Sequence, residues 1–452
     1  MGVSRVTEKS KQDDKTTATK PRSPFMEQLL AKWPWVETGV WTESMLTALV
    51  NGVKGGKWFS LIDKVYKPGV LFGAWERVQG NGGAPGIDNV SIEKFEARAG
   101  KYIQEISKSL ELGTYCPQAV KRVYIPKGDG KLRPLGIPTV KDRIVQGALK
   151  RVLEPIFENE FSDVSFGFRP GRSQKGALRR VDGLLKAGNT WVVDADLRSY
   201  FDTIPHDRLM SKIEDKISDG RVLTLIRSFL KARIMDEMKA WEPEKGTPQG
   251  GVLSPLLANI YLHDLDQLMT HNGFEMVRYA DDFVILTSTK ISAEIALDLV
   301  KTWTEKNGLS LHPEKTHLGN CLEEGQGFDF LGYRFEAGER QVRKKSLDKL
   351  KDKIRAYTKR TCGRSIEVVV DKLTPVLRGW YNYFKHAHKW TFGRLDGLVR
   401  RRLRSILRTQ MKSPGRGKTL EDHMRWPNSY FAALGLFSMQ KAWDQDTACQ
   451  PR

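Results

Sequence analysis

The chain has 452 residues, a formal net charge of +20 and hydrophobic residues at 40% of positions. That length exceeds one compact core and calls for two or three domains, and the charge calls for a polyanionic partner. No apolar run approaches a membrane span, and Cys116, Cys321, Cys362 and Cys449 stand too far apart for metal-type spacing or a disulfide framework, which points to a reduced compartment.

Residues 1–24 are polar and charged and read as a disordered tail, with no signal peptide; Glu8, Asp13 and Asp14 argue against a transit peptide. Residues 25–80, carrying Trp33, Trp35, Trp41, Trp58, Phe59 and Trp75, read as helical. Ile125 to Pro138 reads as a hairpin turned at Gly128-Asp-Gly130, with Lys127 and Arg133 on its two arms. Charges near such turns are usually solvated, but two cations there also suit a ligand on which negative charge develops.

Trp191-Val-Val-Asp194-Ala-Asp196 reads as a strand end with both acids on one face, after which the chain turns through Asp202 and Pro205 into a helix. Acids at a buried strand end are costly unless they ligate metal, form a salt bridge or cap a helix. Gly246-Thr-Pro-Gln249-Gly-Gly251 is a flexible turn. Ser254-Pro255 then opens a helix with Leu256, Leu257, Ile260, Leu265 and Leu268 at helical spacing. Glu275 to Thr287 reads as a β-hairpin whose arms, Met276 to Tyr279 and Phe283 to Leu286, leave Asp281 and Asp282 at or beside the turn. Alone, such a pair is more often solvated. Together with Asp196 it suits a divalent cation, for which carboxylate oxygens are hard ligands.

The charge is unevenly placed. Between Gly338 and Lys418 there are 24 Lys plus Arg against 6 Asp plus Glu, a net of +18, so the rest of the chain carries about +2. Interleaved aromatics mark this stretch as a phosphate-tracking surface. Lys344 to Arg360 reads as a helix, Val368 to Leu377 as an apolar approach to Arg378-Gly-Trp380-Tyr381-Asn382-Tyr-Phe384, and Arg400, Arg401, Arg402, Arg404 and Arg408 as a basic helix. Of Trp380, Tyr381 and Phe384, at least two are expected in the core.

Tyr279-Ala-Asp281-Asp282 with the upstream Asp196-x-x-x-x-Phe201-Asp202 resembles the palm motifs of reverse transcriptases, specifically those of the group II intron-encoded reverse transcriptase/maturases. Further blocks resemble that family in its order: Gly83-Ala-Pro-Gly-Ile-Asp88, Ile125-Pro-Lys127 with Lys131-Leu-Arg133-Pro-Leu-Gly-Ile-Pro138, Ser165-Phe-Gly-Phe-Arg169-Pro-Gly-Arg172-Ser173, Gly246 to Gly251, Pro313-Glu-Lys315-Thr316 and Phe330-Leu-Gly-Tyr333. The similarity covers roughly residues 58–440.

The resemblance implies an α+β right-hand polymerase: fingers and palm, with an antiparallel palm sheet, over 81–335, and an α-helical thumb or maturase domain X over 336–410. A short nucleic-acid-binding region is expected over 411–452, and a helical extension over 25–80 precedes the fingers. It implies RNA-directed DNA synthesis from dNTPs on an RNA template with a DNA primer, using two Mg²⁺ ions on Asp196, Asp281 and Asp282. Asp194 is then structural, and Lys315 protonates the departing pyrophosphate. Lys127, Arg133, Phe201 and Gln249 would meet the nucleotide, with Phe201 the gate against a ribose 2′-hydroxyl. Arg169, Arg172, Arg378, Asn382, Arg400, Arg401, Arg402 and Arg404 would meet nucleic acid. The implied partners are a group II intron RNA and its target DNA, in a bacterial cytoplasm. The absence of paired cysteines implies a member without the His-Asn-His endonuclease. Two alternatives stay open: a domesticated or defence-associated reverse transcriptase without its intron, and an RNA-binding splicing factor with vestigial polymerase activity.

Overall fold

A computed structural model of the chain describes residues 27–28, 30–31, 33–126, 132–237, 239–361 and 363–448. The expected tail, Lys127, Cys362 and Cys449 lie outside them. In chain order the described strands are β1 (Val120–Pro126), β2 (Leu132–Ile137), β3 (Trp191–Asp196), β4 (Ile234–Asp236), β5 (Lys239–Trp241), β6 (Glu275–Tyr279), β7 (Asp282–Thr287), β8 (His317–Asn320), β9 (Phe328–Phe330), β10 (Tyr333–Glu336) and β11 (Glu339–Val342). They form three sheets, ordered β2-β1-β4-β5, β6-β7-β3-β8 and β11-β10-β9.

The β6-β7-β3-β8 sheet is antiparallel throughout and is buried on both faces. Met276, Phe283, Ile285, Val193 and Ala195 join one apolar core with Leu257, Tyr261, Ala293 and Val300 of the Ser254–His271 and Lys290–Lys306 helices. Val192, Val277, Val284 and Leu286 face the other way, into a second core with Phe328, Phe330, Tyr333, Leu373 and Leu403. Double burial explains why Phe283-Val-Ile-Leu286 shows no polar alternation. By the same two-residue period Asp194, Asp196 and Asp282 lie on the face of Val192 and Val284.

The basic stretch folds as long helices, Lys344–Tyr357, Ile366–Phe384 and Trp390–Gln410. Val368 to Leu377 is not a separate approach segment: one helix runs from Ile366 to Phe384 with Pro375 inside it. Tyr381 and Phe384 are buried and Trp380 packs at the edge of the same core. This helix is docked on β10 by a reciprocal pair, the Tyr333 hydroxyl donating to the Tyr383 carbonyl oxygen and the Tyr383 hydroxyl to the Leu331 carbonyl oxygen, both at 2.7 Å. Of the C-terminal helices, Asn428–Ala433 and Met439–Ala448 share that core, while Leu420–Arg425 is held by the Asp422 pair with Arg408; Asp396 accepts from the backbone N–H of Met439 and Gln440. Among the described residues no helix is long and apolar enough to cross a membrane.

Candidate active site

β6 and β7 pair from Glu275↔Leu286 to Tyr279↔Asp282, so the loop between them is the two residues Ala280 and Asp281. Ala280 sits at φ 61°, in the left-handed region where hairpin turns of this length usually place glycine. The tight turn projects Asp281. Asp282 is the first residue of β7 and stands directly opposite Asp196 at the end of β3. Like charges directly opposite across a ladder repel, and here a third and a fourth carboxylate lie alongside.

The electrostatics record that crowding. Burial, and after it the charges of Asp194, Asp281 and Asp196, pushes Asp282 up to about 7. Burial followed by the charge of Asp329 does the same to Asp194, also to about 7, although the backbone of Asp329 hydrogen-bonds to it. Asp281 is raised by burial and by Asp196. Among the described residues the one ion pair made by this group is between Asp196 and the Lys315 ammonium, whose side chain is 59% exposed. Hard oxygens from two adjacent strands, in surroundings that penalise their uncompensated charge, are a donor set for divalent cations. No three His, Cys, Asp or Glu side chains among the described residues already converge as a metal cluster, and the lysine holds one of the Asp196 oxygens.

What holds the strained turn was not visible in the sequence. Arg278 is wholly buried, and its Nε and Nη2 donate to the two oxygens of Asp266 at 2.6 and 2.5 Å. Its Nη1 donates to the Ala280 carbonyl oxygen at 2.9 Å and to Asn259 Oδ1 at 3.0 Å. Asn259 in turn donates to the Gly167 carbonyl oxygen at 2.8 Å. Gly167 lies so close to the backbone of Tyr279 and Ala280 that a Cβ there would overlap them. The segment Val164 to Phe166 is bonded to β6 on both sides of Arg278, through Arg278 N–H to Val164 and Phe166 N–H to Arg278. One guanidinium thus ties the Ser254–His271 helix, the 164–167 segment and the acidic turn together.

A second cluster forms beside it. Arg133 Nε donates to Gln249 Oε1 at 3.0 Å, and Gln249 Nε2 donates to Asp202 Oδ2 at 2.9 Å. The Gly246–Gly251 turn is seated by backbone bonds from Gly136 N–H to Gln249 and from Thr247 N–H to Phe201, both at 2.6 Å. Gly246 needs its lack of a side chain: a Cβ would stand 2.9 Å from the Asp202 backbone, and φ is +91°. Phe201, half-buried, lines a cavity of about 430 Å³ with Asp202, Gly136 and Gln249. The structure therefore gathers Phe201 and Gln249 around one concavity, with Arg133 attached to Gln249, and Asp196, Asp281, Asp282 and Lys315 around one strand end.

Residues 125–335 match the family described as reverse transcriptase (RNA-dependent DNA polymerase), and residues 347–426 match the group II intron maturase-specific domain. Over 289 residues the chain is 37% identical to Protein YkfC of Escherichia coli (strain K12), an alignment covering 55% of this chain and 75% of YkfC. The chain belongs to the group II intron reverse transcriptase/maturase family. It is also 42% identical over 206 residues to the group II intron-encoded protein LtrA of Lactococcus lactis subsp. cremoris, covering 45% of this chain and 34% of LtrA. The putative COX1/OXI3 intron 2 protein of Saccharomyces cerevisiae is 32% identical over 209 residues, 46% of this chain and 24% of that protein. Members of the reverse transcriptase family work with divalent metal.

Two of the arginines expected on nucleic acid are internal to this reverse transcriptase/maturase. Arg169 is 7% exposed and is paired with Glu158 at 2.8 Å, with Nη1 donating to the Ser165 carbonyl oxygen at 2.8 Å. Arg404 is 2% exposed, with Nε donating to the Trp426 carbonyl oxygen at 2.9 Å and Nη2 to Asn428 at 3.0 Å. Their donors are consumed by the fold, so both are corrected from surface charge to struts. Arg172 is held by Asp163 and lies over the Phe166 ring, and Arg400 stands 3.8 Å from Asp396. Arg408 binds Asp422. The basic helix of this maturase is thus largely a packing element. Arg378 and Asn382 are exposed, with the Arg378 guanidinium over the Phe437 ring.

Proposed function

We propose that Asp196, Asp281 and Asp282 form the metal-bearing centre of an RNA-directed DNA polymerase that binds a group II intron RNA, assists its splicing and supports its mobility by target-primed reverse transcription. The observation that carries this reading is the Asp196↔Asp282 pairing at the end of β3 and β7, in a chain whose following residues match the maturase-specific domain. Magnesium on these carboxylates supplies positive charge to the reacting oxygens and to the triphosphate.

In the reaction the primer 3′-hydroxyl gives up its proton to water as its oxygen bonds to the α-phosphorus of a dNTP, the bond from that phosphorus to the oxygen bridging to the β-phosphate breaks, and pyrophosphate leaves. Arg133 sets its guanidinium against the triphosphate and is oriented for this by Gln249, itself fixed on Asp202. Lys315 donates a proton from Nζ to the departing pyrophosphate, which requires it to exchange Asp196 for a phosphate oxygen. Phe201 underlies the sugar. Removing it by Phe201→Ala should raise ribonucleotide relative to deoxyribonucleotide incorporation by about tenfold or more, measured in single-nucleotide assays. An unchanged ratio would make Phe201 a packing residue only.

The intron reading is tested by sequencing RNA that co-purifies with the chain from its bacterial host. Enrichment of one group II intron, and acceleration of that intron's splicing by added protein, are the expected results. Recovery of bulk cellular RNA with no intron enrichment would leave a polymerase without its intron. The reading places the protein in the cytoplasm, where such an intron is transcribed.

A further inference from the structure

Several arginines of the basic stretch are neutralised within the fold, as with Arg355 on Asp352 and Arg408 on Asp422. Arg360, Arg401 and Arg416 are different: among the described residues none of the three has a carboxylate partner or a hydrogen-bond acceptor. These three converge. With Thr358, Arg402 and Ser405 they line one concave pocket of about 240 Å³.

The pocket is built rather than incidental. Arg402 Nε donates to Thr358 Oγ1 at 2.5 Å and its Nη2 to the Thr358 carbonyl oxygen at 2.9 Å, which fixes the guanidinium in the wall. Burial lowers the Arg402 pKa, and the charges of Arg401, Arg355 and Arg360 lower it further, as expected where cations are held together with no anion between them. Arg416 is brought in by Gly417, which sits at φ +71° against the Trp390–Gln410 helix. A Cβ there would stand 2.8 Å from the Arg401 carbonyl oxygen and from Ser405 N. Ser405 is 6% exposed and its hydroxyl has no hydrogen-bond partner among the described residues. A buried hydroxyl without a partner calls for an explanation, and one that lines an arginine-walled pocket has a ready acceptor in an oxyanion.

We propose that this pocket is an oxyanion site that takes a single backbone phosphate of an RNA strand, with the Ser405 hydroxyl and the guanidiniums of Arg360, Arg401, Arg402 and Arg416 as donors. The inference rests on the nucleic-acid-binding reading of this region and narrows it from a charged surface to one discrete phosphate. Arginine forks match phosphate oxygens in pairs, and a concavity admits one group where a flat basic face would track many. Arg360 and Arg416 are exposed at the rim, so a phosphate carried on a chain has a way in.

The test uses the full chain, a fluorescently labelled single-stranded RNA, and two substitutions that remove no internal bond. Arg416→Ala should weaken binding about five- to tenfold and make the slope of log affinity against log salt shallower by about one unit. Ser405→Ala should weaken binding roughly three- to tenfold with the wild-type slope, because a hydroxyl carries no charge. Both should melt at the wild-type temperature. Inorganic phosphate and pyrophosphate, compared at constant ionic strength, separate the two sources of the oxyanion. If they raise the melting temperature of the wild type but not of Ser405→Ala, and RNA affinity is unchanged in both variants, the pocket serves a free oxyanion and the RNA assignment is overturned. Wild-type RNA affinity and slope in both variants, with no effect of phosphate, would make the arginines solvated surface. RNA-templated extension by the wild-type chain is measured separately. A chain that extends primers yet binds RNA identically with either substitution refutes the pocket and leaves the polymerase reading standing.

Discussion

Replacing both Asp281 and Asp282 by alanine should reduce primer extension on an RNA template by roughly 10³-fold or more, with RNA affinity close to wild type. The two acids make no ion pair within the described fold, and both are raised by burial and by neighbouring carboxylates. Their removal therefore relieves repulsion and leaves the internal bonds of β6 and β7 in place. The melting temperature in chelator should not fall. The basic helices proposed to meet RNA are separate from β6 and β7, so binding and extension should separate cleanly. Single-nucleotide incorporation at saturating primer-template is the measurement, and a near wild-type rate would remove these two residues from the reaction.

Arg278→Met should lower the extension rate about a hundredfold and destabilise the protein by ~3–5 kcal/mol. Methionine strands the Asp266 carboxylate in the core, where both partners are fully buried, and releases the carbonyl of Ala280 in the strained turn. Stability and activity can be told apart. In the double variant Arg278→Met with Asp266→Leu the unpaired charge is gone, so the melting temperature should largely recover. The rate should not, because nothing then holds the Ala280 carbonyl and Asn259. Recovery of both would mean that Arg278 stabilises the fold without positioning Asp281 and Asp282.

The parts of this site that were legible in the sequence are those written in local pattern. The hairpin with acids at its turn, the strand ending in Asp196, and the helix opening near Ser254 each follow from periodicity and turn chemistry over a dozen residues. The helix starts one residue earlier in its capping than Ser254-Pro255 implies, with Leu253 at the cap. What pattern did not reveal depends on partners far apart in the chain. Arg278 reads as one more polar residue in an apolar run, and its role rests on Asp266, Asn259 and Gly167. Arg169 and Arg404 looked like surface charge for the same reason: an arginine and a buried carboxylate, or a carbonyl at Trp426, cannot be matched until the fold brings them together. Composition likewise overstated the free charge of the basic helix, since net charge counts Arg404 and Arg408 whether or not Trp426 and Asp422 already hold them.

The most direct test of the central claim is incorporation of labelled dNTPs by the unmodified chain on an RNA template annealed to a DNA primer, with and without Mg²⁺. Full-length complementary DNA that appears only with the cation and is lost in chelator is the expected result. RNA binding without any templated product under every divalent cation tried would contradict it, and would leave the maturase region as the working part of the molecule.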